Sequence, residues 1–417
     1  MTIENKNYPA LIGAIAGDVI GSIYEFNNIK RTDFELIQPG MNYTDDSLMT
    51  LAVADWMLKV HRKGLDSEQV NSLLVNTMRH WAKQYPCPMG GYGGGFQRWL
   101  LSPNPKPYNS WGNGSAMRVS AVGYAAATLE EALDLAELSA AVTHNHPEGI
   151  KGAQATAAAI FMARKGSTKE EIIDYVEQHF GYDLHRNCDE IRPTYHFDES
   201  CQGTVPEAIV AFLDSHDFES AMRLAVSLGG DSDTLACITG GIAAAYYNHI
   251  PQEIVDFVAN NLPTDLLDIV NKFCLTYGYP TVAQPTSRRG DRTTPEHIRS
   301  LKPNEVFVFG SNLAGAHAGG AAHIAHAKFG AIWGQGVGMQ GQSYAIPTMQ
   351  GGVETIKPFV DQFIDYARQN PIFRFYVTRI GCGIAGFTDG EIAPLFREAV
   401  DVENICLPTE WWALLDR

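Results

Sequence analysis

The sequence predicts two domains of different class, an all-α domain followed by a small α/β domain. Three observations carry this. Apolar residues recur with helical spacing from about residue 10 to residue 280. A segment rich in proline and arginine, Tyr279–Pro303, interrupts that pattern. Beyond it, short strand runs alternate with helical windows. A length of 417 residues suits two or three domains. The expected boundaries are 1–283 for the helical domain, 284–292 for a linker and 293–417 for the α/β domain.

In the first domain the expected helices include Leu48–Val60, Glu130–Ala141, Lys151–Ala163, Glu219–Leu228 and Leu235–Tyr247. Each shows apolar recurrence at three and four residues rather than alternation. Many are rich in alanine, so they can approach closely. In the second domain the expected strands are Val306–Phe309, Ser343–Ile346, Phe373–Ile380 and Ile405–Leu407. Helices are expected between them at Ala318–Ala327, Glu354–Arg368 and Ile392–Val400. Among the glycine strings, Gly336, Gly338 and Gly341 precede a strand and so lack the dinucleotide-binding context. Gly381, Gly383 and Gly386 lie between a strand and a helix. They read either as a tight connection or as a loop whose N–H groups cradle a diphosphate.

The chemistry is concentrated in two similar segments. Thr44, Asp45, Asp46 and Ser47 precede one apolar helical run, and Asp231, Ser232, Asp233 and Thr234 precede another. Asp, Ser and Thr are the preferred helix N-caps, and carboxylates there suit the helix dipole. A cap, however, uses one side chain, and adjacent carboxylates repel unless a cation lies between them. Oxygen-only ligands favour Mg²⁺, Mn²⁺ or Ca²⁺ over zinc. Because a helix N-terminus repels cations, the acids must outweigh that dipole. Upstream, GDVIGSIYEF reads as a tightly packed helix containing Gly17, Asp18 and Gly21, with Glu25 near its end. Gly90–Phe96, GGYGGGF, is either a flexible loop or one that lets a ligand approach the backbone.

Composition narrows the function further. With a net charge of −16, no general basic surface is available for nucleic acid. The apolar stretches break before a membrane-spanning length, so no membrane partner is expected. MTIENKNYPA has neither a basic n-region nor an apolar h-region, and no signal peptide is expected. The seven cysteines are scattered without a CxxC pair, which suits a reducing cytoplasm.

In order, GDVIGSIYEF, YTDDS, WGNGSAMR, THNHP and LGGDSDT resemble the ADP-ribosylglycohydrolase family over residues 9–280. That family includes the dinitrogenase reductase-activating glycohydrolases and the animal ADP-ribosylarginine and ADP-ribosylserine hydrolases. The resemblance implies a two-metal site whose ligands are Thr44, Asp45, Asp46, Asp231, Asp233 and Thr234. Two Mg²⁺ are implied, with Mn²⁺ as the alternative. It implies catalytic roles for Glu25, Asp45 and Asp233. Substrate contacts are implied at Gly91, Tyr92, Gly93, Asn113, Gly114, Ser115 and His144. His146 is expected to be structural, Met117 a packing residue and Arg118 a surface residue.

The second domain resembles a macrodomain-like ADP-ribose-binding module through FGSN, the GG-AA helix entry, SYAIPT and GCGIAGF. Its implied contacts are Asn312, Gly381, Gly383 and Gly386. The expected function is metal-assisted hydrolysis of the bond at C1″ of the distal ribose of an ADP-ribosylated protein. Two rivals stand beside it. One is a non-catalytic ADP-ribose-binding or toxin-immunity protein. The other is a hydrolase of a free ADP-ribose metabolite.

Overall fold

The helix Ile12–Gly21 is buried at every position and lies against Ser232–Tyr247. Glycine makes that contact possible. A Cβ on Gly17 would sit 1.9 Å from the carbonyl oxygen of Ala236, and one on Gly21 would sit 2.5 Å from that of Ser232. No larger residue fits without separating the two backbones. The contact fixes the end of the first helix beside the start of the second.

A computed structural model describes residues 6–61, 63–282 and 292–415. The chain divides into two compact units, Met1–Gln284 and Pro285–Arg417. In the first unit helices surround one hydrophobic core containing Trp56, Tyr124, Phe212, Phe218 and Phe273. The expected helical windows all appear, with longer starts: Asp45–Val60, Leu129–Ala141, Pro147–Arg164, Phe218–Leu228 and Ser232–Tyr247. The additions at Asp45 and Ser232 are polar first turns, which lack the apolar recurrence that marks a helix interior, and those at Leu129 and Phe218 are one residue each. His146 caps Pro147–Arg164, its Nδ1 accepting from the Glu148 N–H at 3.1 Å. Among the described residues no helix is long and apolar enough to cross a membrane.

The second unit is built on a five-stranded sheet. Its strands are β1 (Glu305–Ser311), β2 (Gly338–Gln340), β3 (Ser343–Pro347), β4 (Arg374–Val377) and β5 (Ile405–Cys406), in the order β2-β3-β1-β4-β5. β1 pairs in parallel with β3, Phe307 opposite Ser343, and with β4, Val306 opposite Phe375. β4 and β5 are also parallel, and only β2 runs antiparallel to its neighbour. Alternate residues of β1 serve opposite faces. Val306 and Val308 join Phe363, Phe396 and Trp411 on one face, and Phe307 and Phe309 join Ala325 and Phe329 on the other.

In the second unit four elements differ from expectation. The window Glu354–Arg368 is a 3-10 turn, Val353–Thr355, followed by Lys357–Gln369, with Pro358 in the new helix's first turn. Ile392–Val400 is mostly 3-10, Ala393–Asp401, after a short helix Asp389–Ile392; Pro394 falls at its start. The helix Thr409–Leu415 and strand β2 were not anticipated, both being too short to establish a period. The expected linker 284–292 lies outside the described residues except for Arg292. Arg292 is buried in the second unit and donates to the carbonyls of Val400 at 2.8 Å and Val402 at 2.7 Å.

Candidate functional site

A cleft of about 600 Å³ in the first unit gathers the motifs that the sequence scatters. Its lining includes Glu25, Asp45, Asp46, Asp231, Asp233 and Thr234. Gly91, Tyr92, Gly93, Asn113, Gly114 and His144 line it as well. That volume lies in the range of small-molecule and cofactor sites.

The acidic set is held from behind by Asp18, a residue whose role the sequence reading missed. Asp18 is wholly buried on the Ile12–Gly21 helix. Its carboxylate accepts from the Thr44 N–H at 2.9 Å, the Thr44 hydroxyl at 2.7 Å and the Ser47 N–H at 3.0 Å. The Ser47 hydroxyl donates to it too. Four donors on one carboxylate lock the Thr44–Ser47 turn to the first helix. The only advance sign was an aspartate inside a run otherwise suited to burial.

Capping does not account for the acids. At the first cluster Thr44 is the N-cap, accepting from the Asp46 N–H at 3.2 Å, and Thr44 itself is buried behind the cleft. At the second, Asp231 occupies the N-cap position but makes no side-chain cap bond. Its Oδ2 instead accepts from Asn113 Nδ2 at 2.7 Å. Asp45 and Asp46 line the same cleft as Asp231, Asp233 and Thr234, so the two clusters meet there. Carboxylate oxygens of Glu25, Asp231 and Asp233 lie within 4.8 Å of one another. Glu25, expected to be catalytic only, thus joins the acidic set as well.

Burial drives the electrostatics. It raises Asp45, Asp46 and Asp233 well above the usual carboxylate range, and the neighbouring acids raise them further. Glu25 is pushed up to about 7 by burial and then by Asp231 and Asp18. Asp46 Oδ2 is buried with no hydrogen-bond partner. The lining contains no lysine, and its arginines are Arg98 and Arg118. Oxygen donors in this number, one of them orphaned, fit hard divalent cations such as Mg²⁺ or Mn²⁺.

The remaining expected residues fall into place unevenly. Asn113 spends its amide on Asp231 and on Thr204 Oγ1 at 3.1 Å. Ser115 is buried, donates to the Gly149 carbonyl at 2.6 Å and does not line the cleft. Gly90 and Gly91 adopt φ of +75° and +82°, and a Cβ on Gly90 would lie 2.9 Å from Glu25 Oε2. The glycine loop is therefore the wall against which Glu25 rests. Tyr92 offers its ring to the cleft while its hydroxyl donates to the Tyr85 carbonyl at 2.8 Å.

Arg118 corrects the surface expectation, being 1% exposed. Its guanidinium donates to the Ser139 carbonyl at 2.7 Å and to Thr143 Oγ1 at 2.8 Å. Nothing in the local sequence signalled this, because the partners lie more than twenty residues away. Thr143 Oγ1 lies 2.7 Å from His144 Nδ1. That hydroxyl accepts from Arg118 and also donates to the Ala140 carbonyl at 3.5 Å. Burial, then Arg118, holds His144 well below its ordinary pKa, so it is neutral. Phe26, Phe197 and Glu199, also on the cleft, escaped the sequence reading. The two rings stack at 6.4 Å between centroids.

In the second unit, Asn312 and Gly381, Gly383 and Gly386 occupy loops after β1 and β4, which are adjacent and parallel. A Cβ on Gly310 would meet the Gly381 nitrogen at 3.4 Å, so the loops lie side by side. Asn312 closes its own loop, Nδ2 donating to the Ala316 carbonyl at 3.0 Å and Oδ1 accepting from the Ala316 N–H at 3.1 Å.

Comparison with known proteins bears on the first unit. A family model described as ADP-ribosylglycohydrolase matches residues 1–281. The chain is similar to ADP-ribosylhydrolase ARH3 of Mus musculus, 27% identical over 316 residues, covering 57% of this chain and 82% of the relative. Its human counterpart is 26% identical over 337 residues, with 62% and 90% covered. ADP-ribosylarginine hydrolase Tri1 of Pseudomonas putida (strain GB-1) is 26% identical over 278 residues, with 60% and 73% covered.

Proposed function

The chain belongs to the ADP-ribosylglycohydrolase family through residues 1–281, and from that premise we propose that it is a metal-dependent hydrolase that releases ADP-ribose from a modified protein. The observation that supports this most is the meeting of both acidic clusters and Glu25 in one cleft, with an orphaned Asp46 oxygen and no lysine to balance them. Asp45, Asp46, Asp231, Asp233 and Thr234 would hold two Mg²⁺ or Mn²⁺, with Thr44 supporting them from behind. When bound, such ions supply the charge that orients the ribose diol and a water molecule.

The chain's own residues have separable tasks. Asn113 fixes the orientation of Asp231 through its amide. Asp18 fixes Asp45 and Asp46 through the turn that it clamps. Glu25 moves the proton, its carboxyl standing on the cleft within 4.8 Å of those of Asp231 and Asp233. Cleavage at C1″ of the distal ribose passes through an oxocarbenium-like state, and the surrounding carboxylates favour its positive charge. The cleft's glycine loop leaves room for a diphosphate to approach the backbone, and neutral His144 lines the same cleft. A cytoplasmic location suits this activity and the cysteine usage.

For the second unit we propose a macrodomain-like role, holding ADP-ribose against its paired glycine loops. Its support is their position at the C-terminal ends of adjacent parallel strands, where open α/β sheets place ligands.

The test is turnover of defined ADP-ribosylarginine and ADP-ribosylserine peptides, before and after chelation and with Mg²⁺ or Mn²⁺ restored. Activity is expected to vanish on chelation and to return with either ion. Full activity in excess chelator, after metal removal is verified, would overturn the metal-dependent reading. Tight ADP-ribose binding without turnover would favour a binding protein instead.

A further inference from the structure

Glu25 lies beyond the end of its helix, in a segment of turns and bends. What holds it is a side chain three residues on. Asn28 Nδ2 donates to the carbonyls of Tyr24 at 2.7 Å, Glu25 at 2.9 Å and Gly230 at 2.8 Å. Asn28 Oδ1 accepts from the Gly230 N–H at 2.8 Å. The amide is thus paired with the Gly230 peptide in both directions. Its orientation is fixed by the network, since only the oxygen can meet an N–H. Gly230 is itself pinned, with φ of +74° and with space for no side chain: a Cβ there would lie 2.7 Å from the Tyr195 ring. Lys30 adds a second tie, Nζ donating to the carbonyls of Tyr195, at 2.6 Å, and Leu228.

The residue after Gly230 is Asp231, whose carboxylate comes within 4.8 Å of that of Glu25. One amide therefore joins the backbone of the proton-moving acid to the backbone that presents its neighbour. We infer that Asn28 is a positioning residue, which sets the Glu25 carboxyl against the Asp231–Asp233 pair. This rests on the catalytic reading of Glu25 given above. An Asn that only tied down a loop would affect stability; one that positions Glu25 must affect turnover through Glu25.

The experiment uses the full chain with Mg²⁺ and whichever ADP-ribosylarginine or ADP-ribosylserine peptide it hydrolyses. In Asn28→Ala, amide exchange is expected to quicken in segments 24–30 and 228–232 and nowhere else. Its kcat should fall on the order of tenfold to a hundredfold, with KM little changed, because a small displacement of an acid costs rate rather than binding. Asn28→Asp keeps the acceptor for Gly230 but turns a carboxylate toward three carbonyls, and should lose as much. In a Glu25→Ala background, Asn28→Ala should add little, since the two losses act through one group. Equal losses in both backgrounds, wild-type kcat in Asn28→Ala, or unchanged exchange in those two segments each overturn the inference. A fully active Glu25→Ala would instead overturn the role of Glu25 itself.

Discussion

At the scale of single residues, the acids of the cleft are arranged against stability. Burial and mutual repulsion raise them, and only a cation relieves the repulsion fully. Asp46→Asn is therefore expected to leave the metal-free thermal midpoint at or above that of the wild type, while abolishing the rise produced by Mg²⁺ or Mn²⁺. Differential scanning calorimetry with and without ion reads both; a metal-dependent rise as large as the wild type's would contradict the ligand assignment. Asp18 behaves in the opposite way. Removing it strands buried donors from Thr44 and Ser47, so Asp18→Ala should cost on the order of 2 to 4 kcal/mol in urea unfolding. A loss within about 0.5 kcal/mol, the scale of a surface substitution, would show that the clamp is not a structural support. The aspartate pairs were legible because Asp and Thr at a helix start are a local signal. Asp18 and Arg118 were not, because each is explained by partners that only the tertiary structure brings near, and the same holds for the tie from Asn28 to Gly230.

At the scale of elements, the approach of Ile12–Gly21 to Ser232–Tyr247 decides where the acids stand. Gly17→Ala drives a methyl into the Ala236 carbonyl, backbone that no rotamer change can move. A loss of about 3 kcal/mol or more, or failure to accumulate as soluble protein, is expected; a thermal midpoint near the wild type's would show that the helices can part cheaply. In the second unit, Asp389 joins three elements. Arg379 Nε donates to it at 2.9 Å and Trp411 Nε1 at 2.7 Å. The Arg379 bond, more than the Trp411 and Cys382 bonds, holds the Asp389 carboxyl below its ordinary range. A depressed folded value means stability present above the unfolded pKa and lost as pH falls through the folded one. Asp389→Asn should thus cost about 1 kcal/mol at pH 7, a figure kept small because Arg379 is half exposed, and less near pH 3. Urea unfolding at the two pH values checks it, and an equal cost at both would refute the linkage. Five helices of the first unit and four of the five strands were legible from periodicity, whereas Ser67–Gln84 and Cys201–Asp214 were not singled out. The 3-10 stretches at Pro358 and Pro394 and the three-residue β2 were not, since they are too short for a period or shaped by proline.

At the scale of the whole molecule, each unit has its own hydrophobic core, one assembled from residues 8–282 and the others from residues beyond 297. Every residue of the candidate catalytic cleft belongs to the first. Residues 1–283 alone are therefore expected to hydrolyse ADP-ribosylated peptide at a rate within about threefold of the full chain, a difference of ~0.7 kcal/mol. A folded but inactive fragment would show that the second unit completes the site. The start of the second unit matters as well. Arg292 fills three carbonyls, at Ala399, Val400 and Val402, and its guanidinium lies 5.0 Å from the Trp412 ring. A fragment beginning at 285 should be more stable than one beginning at 293 by on the order of 2 kcal/mol, measured by thermal unfolding; equal midpoints would assign Arg292 no structural weight. The change from helical to alternating pattern made the two-part organisation legible. The role of Arg292 was hidden, because in sequence it is one of four arginines in a proline-broken stretch.

The glycine contact between the two helices also bears on how such a protein can diversify. The spacing between the acidic sets is set by backbone resting on backbone, at Gly17 and Gly21, and not by any loop. The exposed side chains of Phe26, Trp111 and Phe197 line the same cleft and take no part in that contact. Substitutions of these three side chains can then change what the cleft admits while the acidic sets keep their spacing. The shape of the opening is thereby decoupled from the distance between the acids, one being a matter of side chains and the other of backbone.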